Sequence, residues 1–431
     1  MIRPSRTALA LGLAALLASV LIAVISPATQ SMAFVLWALL GLVGVADIVM
    51  TGRRRSELVF DVPPEVFVGE TVNIILMIKP WREGMRAELD WPQGLSGDGE
   101  VTFDRYDSHA EVIIPCRAVR RGTWTIERIW LYWPSRFGLF EYVPRIATEI
   151  TVKVVPNIRL VQSGQITTTV NSALYGVKEN RAIGDGSEFH QLQDFVRGMD
   201  VKAIDWKRSA RKRSLVVKEL RAERNHHVIV ALDNGYLMRE EIAGLPKIDH
   251  AITAALATAW AAAIGGDLVG FYAYDVQPSI FVRPEPGRTA FARLRSQTAE
   301  LDYVSRETNH TLAMAGLNAR TPKRSLIIIF TDFVDTTSAE LLIENIRVLT
   351  KRHLVIFVTL RDPALEEMVH TAPESLDNVA TLVAAGASLR ERRLVLEKLH
   401  RLGATIVDAE PGQVTSRLIS TYLEIKAREL I

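Results

Sequence analysis

The sequence predicts a membrane-anchored α+β chain made of distinct structural parts. An uncharged, apolar stretch over residues 7–46 predicts a two-helix transmembrane hairpin. Short alternating runs over residues 57–156 are typical of a β-sandwich-like domain. Apolar strands that alternate with helices over residues 227–431 predict an α/β domain built on a parallel sheet.

The composition limits the classes of protein to which the chain can belong. Its 431 residues are enough for two or three domains. Lys and Arg total 51 and Asp and Glu total 49, so the net charge of +2 gives no global indication of nucleic-acid binding. Cys116 is the only cysteine, which excludes an intrachain disulfide and argues against a cysteine-based zinc site.

The transmembrane hairpin, residues 1–56, is predicted from the length of its uncharged run. The uncharged run would be roughly 60 Å long as a helix, about twice the thickness of a bilayer core. Turn and polar residues at Ser26–Ser31 break it, so we predict spans at about Thr7–Ile25 and about Met32–Met50. A cleaved signal peptide is the alternative, but a second apolar span stands where a polar mature start is expected.

Basic residues flank the hairpin at both outer ends. Arg3 and Arg6 precede the first span and Arg53–Arg55 follow the second, whereas the short loop between the spans has none. The positive-inside rule therefore predicts a protein of the inner (cytoplasmic) membrane whose termini and soluble domains are cytoplasmic. Asp47 lies near the cytoplasmic end of the second span, and we expect its carboxylate to snorkel to the interface.

Residues 57–156 contain turn signals between short alternating runs, of which Thr71–Ile78 is one example. Aromatic residues are concentrated between Trp124 and Phe140. They form either a ligand-binding surface or, as is more common in a β domain, part of the core. The region contains no catalytic combination of residues that we recognise.

Residues 157–226 are predicted to link the two soluble domains, and they contain a basic segment. Between Lys202 and Arg224, nine basic residues stand against three acidic ones, a local charge of +6. The segment can contact anionic lipid, an acidic protein partner, or only solvent and internal ion pairs. Nucleic acid is not expected, because stacking aromatics are not interleaved with the charges. The residues that define the basic segment here are Lys202, Lys207, Arg208, Arg211, Lys212 and Arg213.

Motifs in the same region resemble a known bacterial and archaeal family. The sequences Phe195–Asp200, Ile204–Trp206 and Leu215–Glu219 are similar to the signature of the domain of unknown function 58 family. Met199 departs from the pattern, which usually has an acid at that place. Similar flanking patterns are Ser135–Phe140, Thr331–Phe333 and Asp362–Pro363. The family-signature residues are Gly198, Asp200, Asp205, Trp206, Ser209 and Arg211.

Two carboxylates follow apolar strands of the predicted α/β domain. Asp233 comes after Val228–Leu232, and Asp332 comes after Ser325–Thr331. Because sites in parallel sheets lie at the carboxyl ends of strands, we expect both side chains at the same edge of the sheet.

The resemblance implies that the C-terminal domain is von Willebrand factor A-like, with a Rossmann-like parallel sheet. In that fold an Asp-x-Ser-x-Ser sequence, a Thr and a second Asp hold Mg²⁺. Here Gly235 and Leu237 replace the two hydroxyl residues after Asp233. Asp233, Asp332 and Thr289 are therefore candidates for only a degenerate Mg²⁺ site, and no cofactor is expected. The alternative is that both aspartates cap helices or anchor loops.

The predicted function is not enzymatic. The chain has no Gly-x-Ser-x-Gly, no phosphate-binding Gly-Lys-Ser/Thr loop and no His-Glu-x-x-His motif. The resemblance implies a companion of a MoxR-type AAA+ ATPase, so we expect a membrane-tethered adaptor for protein–protein interaction in assembly or maturation of protein complexes. The alternative is a membrane-surface or envelope scaffold without an ATPase partner, whose basic segment docks on membrane lipid. An uncharacterised enzyme is less favoured.

Overall fold

The computed structural model describes residues 1–25, 31–51, 57–106, 109–178, 188–197, 199–221, 226–336, 339–370 and 376–428. These residues form two compact units, Met1–Val155 and Pro156–Ile431. Apolar helices near the N-terminus and sheets with parallel and antiparallel strands confirm the predicted mixture of α and β structure. The segment predicted as a link, residues 157–226, falls within the second unit.

The first unit begins with two apolar helices preceded by a short strand. These elements are β1 (Ile2–Pro4), α1 (Arg6–Ile25) and α2 (Ser31–Thr51). Both helices are long and apolar enough to cross a membrane, and most of their apolar side chains are exposed. Such exposure is unfavourable in water and favourable in a lipid core. The helices therefore confirm the predicted pair of candidate spans and favour membrane association.

The remainder of the first unit consists of strands. They are β2 (Glu57–Asp61), β3 (Glu65–Phe67), β4 (Thr71–Lys79), β5 (Arg86–Leu89), β6 (Leu95–Gly97), β7 (Glu100–Thr102), β8 (Asp104–Arg105), β9 (Ala110–Ala118), β10 (Gly122–Pro134), β11 (Phe140–Tyr142) and β12 (Arg145–Val155). One sheet has the order β1–β11–β10–β12–β3, with β5 paired to β10 and β7 paired to β5. Another has the order β2–β4–β9–β6, with β8 paired to β9. Burial alternates along β9, where Ile114 is buried and Ile113 is exposed, as the period of a half-buried strand requires.

Strand β1 joins the start of the chain to the sheet of this unit. It pairs antiparallel with β11, with Ile2 opposite Tyr142 and Pro4 opposite Phe140. The strand before α1 and a strand that follows α2 are therefore neighbours. Both outer ends of the helix pair lie at one sheet, which is what a hairpin that crosses a membrane twice requires.

The second unit alternates helices and strands. Its elements are α3 (Arg159–Gln162), α4 (Gln165–Lys178), β13 (Glu188–Asp194), α5 (Trp206–Lys212), β14 (Val216–Arg221), β15 (His227–Asp233), β16 (Glu241–Ile242), β17 (Leu245–Pro246), α6 (Lys247–Ile264), β18 (Leu268–Tyr274), β19 (Pro278–Pro286), α7 (Gly287–Ala299), α8 (His310–Arg320), β20 (Leu326–Phe330), α9 (Ala339–Thr350), β21 (Leu354–Leu360), α10 (Pro363–His370), α11 (Leu376–Arg401), β22 (Thr405–Ala409) and α12 (Val414–Ala427). Helix α4 packs against α6 and α12.

Within the described residues, six strands of the second unit form a sheet in the order β19–β18–β15–β20–β21–β22. The pairs from β18 to β22 are parallel, and β19 is antiparallel to β18 at the edge. The inner strands are apolar throughout, because helices cover both faces, and Ile229, Ile329 and Phe357 lie in the resulting core. The order reverses between β15 and β20, which creates a crevice at the carboxyl ends of these two strands.

Candidate functional site

Asp233 and Asp332 lie at the crevice where the strand order reverses. Asp233 is the last residue of β15, and Asp332 follows the end of β20 by two positions. The two strands are parallel neighbours, with Leu232 opposite Phe330. The side chains are only 1% and 4% exposed. The structure therefore brings these two predicted residues to the same edge of the sheet.

The Asp233 carboxylate is surrounded by donors of the protein itself. Its Oδ1 accepts hydrogen bonds from the Gly235 backbone N–H at 2.8 Å and the Thr308 hydroxyl at 2.5 Å, and its Oδ2 accepts one from the Thr331 hydroxyl at 2.5 Å. Burial raises the pKa of Asp233, against the opposing influences of His310 and the hydrogen bonds. Asp233 thus anchors the loop that precedes α8 to the end of β15.

The Asp332 carboxylate is the centre of a buried ion cluster. Its Oδ2 accepts a hydrogen bond from Lys247 Nζ at 2.5 Å, and its Oδ1 accepts one from Arg392 Nη1 at 3.0 Å. The Phe333 backbone N–H at 3.0 Å and the Thr359 hydroxyl at 3.2 Å also donate to Oδ1. Asp332 therefore connects three parts of the chain. These are the start of α6, the loop that contains Asp332, and the middle of α11.

The cluster continues beyond Asp332 on both sides. Lys247 also donates to Glu240, and Arg392 donates to Asp408 at 3.0 Å and to the Leu360 carbonyl at 2.8 Å. Burial alone would raise the pKa of Asp332, but the charges of Lys247 and Arg392 hold it below its usual range. Burial alone would lower the pKa values of Lys247 and Arg392, but their carboxylate neighbours raise both. Asp332, Lys247 and Arg392 are thus held in their charged forms.

Thr289 is not brought to the two aspartates. It lies in the first turn of α7, directly after β19. Strand β19 places Pro286 opposite Leu268, whereas Asp233 lies opposite Tyr274 at the other end of β18. Six residues of strand separate the two ends, which is about 20 Å at about 3.3 Å per residue. The sequence-based grouping of Thr289 with Asp233 is therefore corrected, and Thr308 supplies the hydroxyl instead.

The residues at this edge do not fit an octahedral Mg²⁺ site. A Cβ at Gly235 would lie 1.9 Å from Thr308 Oγ1, so a serine cannot occupy that position beside Thr308. Asp332 faces an ammonium and a guanidinium group, whose charges repel a further cation. Across the described residues, no group of three or more His, Cys, Asp or Glu has a metal-binding arrangement.

The family-signature residues build an arm of the second unit. Strands β13 and β14 pair antiparallel, and α5 lies between them in the chain. Asp200 accepts a hydrogen bond from the Lys202 backbone N–H at 2.9 Å, and Asp205 caps α5 by accepting one from the Arg208 N–H at 3.1 Å. Ser209 is buried, and its hydroxyl accepts from the Val216 N–H at 2.9 Å. Gly198 lies outside the described residues.

The outer side of this arm is basic and carries an aromatic side chain. Trp206 is 65% exposed, and Lys212 forms a surface ion pair with Asp194 at 2.7 Å. The exposed basic side chains are Lys202, Lys207, Arg208, Arg211, Lys212 and Arg213. The basic segment therefore faces outward from the arm rather than into the core of the second unit.

Sequence reasoning did not identify Lys247, Thr308 or Arg392 as parts of the site. Lys247 and Asp332 are 85 residues apart, and Thr308 and Asp233 are 75 residues apart, so no local pattern marks either pair. One available signal is Asn309, which caps α8 by accepting a hydrogen bond from the Leu312 N–H at 3.0 Å. A Thr-Asn pair before an amphipathic run would have located the loop that contains Thr308.

The structure thus defines a chain with an apolar helix pair and a doubly wound α/β unit that contains a buried ion cluster. The family described as "Protein of unknown function DUF58" matches residues 191–385. This region belongs to that family, which confirms the resemblance seen in the motifs. No curated protein matches the chain.

Similar solved structures come from unrelated sources. The conserved hypothetical protein BatB from Bacteroides thetaiotaomicron is 14% identical, with a TM-score of 0.34, and the match covers 47% of this chain and 100% of that one. Proximal thread matrix protein 1 from the mussel byssus is 8% identical, with a TM-score of 0.29, and the match covers 48% of this chain and 47% of that one.

Proposed function

We propose that this chain is a non-enzymatic, membrane-tethered adaptor. In this proposal the apolar helices anchor the chain in the inner membrane, the strands of the first unit form a β-sandwich-like spacer, and the second unit is a von Willebrand factor A-like domain in the cytoplasm. The second unit binds a protein partner through the loops at the carboxyl ends of its strands. The observation that carries the proposal is that exposed apolar side chains lie on and beside the loops that both buried aspartates fix.

These apolar side chains define the strand-end surface, which consists of Tyr236, Val276, Leu312 and Val334. All of them are exposed, and Val334 is 53% exposed although it lies two residues from the buried Asp332. Apolar side chains that are exposed on ordered loops are typical of protein-binding surfaces. A protein partner is therefore favoured over a small polar ligand at this edge.

Backbone hydrogen bonds hold the loops of the strand-end surface together. The Asn234 N–H donates to the Tyr274 carbonyl at 2.7 Å, and the Tyr236 N–H donates to the Arg306 carbonyl at 2.9 Å. The Asn309 N–H donates to the Asp275 carbonyl at 3.0 Å. A surface that is ordered before binding loses less conformational entropy when a partner docks.

The ion cluster supports a structural rather than a catalytic role for the two aspartates. Asp332 is held charged by Lys247 and Arg392, and the oxygens of Asp233 accept from hydroxyl and backbone donors. A general acid or base needs a carboxyl group that can exchange a proton with a bound substrate. These carboxylates are instead committed to the loops, and partner binding is proposed to be independent of Mg²⁺.

The resemblance to the family makes a MoxR-type AAA+ ATPase the proposed partner. The chain has no phosphate-binding Gly-Lys-Ser/Thr loop, so ATP hydrolysis would belong to the partner. The adaptor would then couple that ATPase to assembly or maturation of protein complexes at the membrane.

The test is affinity capture of the detergent-solubilised full chain from its own cells, followed by mass spectrometry. The informative variant is Tyr236→Ala/Val334→Ala, which removes apolar area from the strand-end surface. The matched control is Ile113→Ala/Val348→Ala, which truncates exposed apolar side chains elsewhere. We expect an AAA+ ATPase with the wild type and the control, at least tenfold less with the variant, and no effect of EDTA. Absence of an ATPase from every sample would show that the adaptor proposal is wrong.

The exposed arm favours a second candidate, a scaffold that docks on membrane lipid without an ATPase. Trp206 is exposed among the basic side chains, and an aromatic ring beside basic residues is typical of segments that bind anionic membrane surfaces. The measurement is hydrogen exchange of residues 199–217 in the full chain, reconstituted in nanodiscs with anionic or zwitterionic lipid. The scaffold candidate requires greater protection with anionic lipid and loss of that protection in Lys207→Glu/Arg211→Glu. Equal exchange in both lipids would eliminate it.

A further inference from the structure

A cavity of about 840 Å³ lies in the second unit along α11, where it faces α10 and β22. Its size is within the range of sites that enclose a small organic molecule. We name it the arginine cavity, after the arginine side chains in its wall, which are Arg361, Arg390, Arg392, Arg393 and Arg401. We infer that the arginine cavity binds an organic phosphate, that is, a phosphate ester with an apolar body.

The charge balance of the wall leaves guanidinium groups available. The three lining carboxylates are engaged, since Glu366 lies 3.4 Å from Arg361, Asp408 lies 3.0 Å from Arg392 and Glu397 lies 3.5 Å from Arg401. Arg390 and Arg393, in contrast, form no ion pair with another residue in the described part of the chain. The free positive charge therefore lies on one helix, at positions where a bound anion can reach both groups.

Buried donors in the same wall lack acceptors. Nε of Arg361 and Nε of Arg392 are both buried without a hydrogen-bond partner. Leaving a buried N–H unsatisfied is unfavourable, so such a group needs an explanation. Arg392 is also fixed in place by Asp408 and the Leu360 carbonyl, so its guanidinium is ordered before a ligand arrives. The Arg392 guanidinium therefore presents an ordered positive charge at the wall of the cavity.

Phosphate is the anion that this wall fits best. Guanidinium groups bind phosphate oxygens through paired, charge-assisted N–H donors, and several of them converge on the cavity. The lining also has an apolar part, which includes Val369, Leu389, Leu396 and Ile406. Inorganic phosphate would leave this apolar part in contact with water. A phosphate ester can place its phosphate against the guanidinium groups and its ring or aliphatic body against the apolar part of the lining.

The site would bind its ligand rather than turn it over. No Gly-Lys-Ser/Thr loop is present in the sequence, and the carboxylates of the wall are engaged with arginines. Arg392 belongs to both the arginine cavity and the ion cluster of Asp332. A ligand on this side chain would therefore contact the residue that holds the Asp332 loop.

Calorimetric titration of the detergent-solubilised full chain tests the site. The probes are ADP, pyrophosphate, adenosine and the short-chain lipid dihexanoyl phosphatidic acid. The variant is Arg390→Gln/Arg393→Gln, which removes two exposed charges and leaves the buried ion cluster intact. The control is Arg306→Gln/Arg347→Gln, which has the same change in charge at exposed positions outside the cavity.

We expect saturable binding of ADP or of the lipid, at least tenfold weaker in the variant and within twofold of wild type in the control. Adenosine should not bind, because it lacks the phosphate. The tighter of the two esters identifies a soluble metabolite or a lipid headgroup as the source of the phosphate. Pyrophosphate that binds as tightly as either ester would overturn the requirement for an apolar body. Failure of every phosphate probe to bind, or equal binding by variant and control, would overturn the site.

Discussion

The backbone N–H of Phe137 donates a hydrogen bond of 2.8 Å to Oδ1 of Asp47, a residue of the apolar helix α2. Oδ2 of the same carboxylate accepts from the Ser135 hydroxyl and from the Leu139 N–H at 3.3 Å. Asp47 is 0% exposed. Its carboxylate therefore receives the donors of the turn between β10 and β11, and its position at a membrane interface stays a prediction.

Replacement of Asp47 by Ala should loosen the contact between α2 and this turn. The donors at Ser135, Phe137 and Leu139 would lose a charged acceptor, and one hydrogen bond to a charged group is worth about 1.5–3 kcal/mol. We expect a fall of several degrees in the thermal unfolding midpoint of the solubilised protein and new protease cleavage near residues 135–142. Asp61→Ala, which removes an exposed carboxylate of β2, should leave both measurements unchanged. An equally small effect of both substitutions would contradict the anchoring role.

Gly235 and Thr308 should behave as a coupled pair. Gly235→Ala places a Cβ against the Thr308 hydroxyl, and overpacking of this kind typically costs about 1–3 kcal/mol. Thr308→Ala alone removes a hydrogen bond to Asp233, but it also removes the atom that would clash. The double variant should therefore be less destabilised than the sum of the single variants, as measured by denaturant unfolding. Gly412→Ala is the control, since nothing lies within 4 Å of its Cβ position. Additive effects would show that the two residues are not in contact.

The ion pairs of Asp332 predict how stability depends on pH. Because its pKa is held low, the charged form contributes stability that is complete above the unfolded pKa of about 3.9. That contribution is lost as the pH falls through the lower pKa of the folded state. Asp332→Asn leaves Lys247 and Arg392 buried without their carboxylate, so the free energy of unfolding at pH 7 should fall by about 3–5 kcal/mol.

The difference between wild type and Asp332→Asn should shrink as the pH falls below the unfolded pKa of about 3.9, because the unfolded wild-type chain then binds a proton that the folded carboxylate does not yet bind. Denaturant titrations of both proteins between pH 3 and 7 measure this difference in the free energy of unfolding. Asp302→Asn, at an exposed position, should follow the wild type throughout. A constant difference over the whole range would mean that the charge on Asp332 does not contribute.

The Ser209 hydroxyl should stabilise the folded conformation of the arm. Its buried hydroxyl accepts from the Val216 N–H, so Ser209→Ala leaves a buried donor unsatisfied at a cost of about 1–3 kcal/mol. We expect faster hydrogen exchange over residues 199–217, with exchange in the main sheet unchanged. The neighbouring Ser214→Ala is exposed and should exchange like the wild type. Faster exchange in both variants would assign the effect to the loss of any hydroxyl.

Elements with a strong period could be predicted from the sequence. The apolar helices begin and end within one residue of the predicted spans. Strand β19 was missed because Pro278–Pro286 is antiparallel at a sheet edge and has no continuous apolar run. Helix α10 was missed because its eight residues are too few to show a period.

Only the site residues that directly follow a strand could be predicted from the sequence. Asp233 and Asp332 follow apolar strands, so their common edge could be inferred. The packing of distant loops decides which hydroxyl group and which cationic side chains contact the two aspartates. No periodic pattern in the sequence indicates how those loops pack. Thr289 does not reach the two aspartates, because β19 runs antiparallel to β18 and places this residue at the other end of the sheet.

The pairing of β1 with β11 imposes an order on the biogenesis of the chain. Ile2–Pro4 is synthesised 138 residues before its partner Phe140–Tyr142. At about 5–20 residues per second, this first strand waits roughly 7–28 seconds for its neighbour. During that time its N–H and C=O groups form an open edge beside the apolar helices. Any factor that shields this edge would therefore act before the first unit is complete.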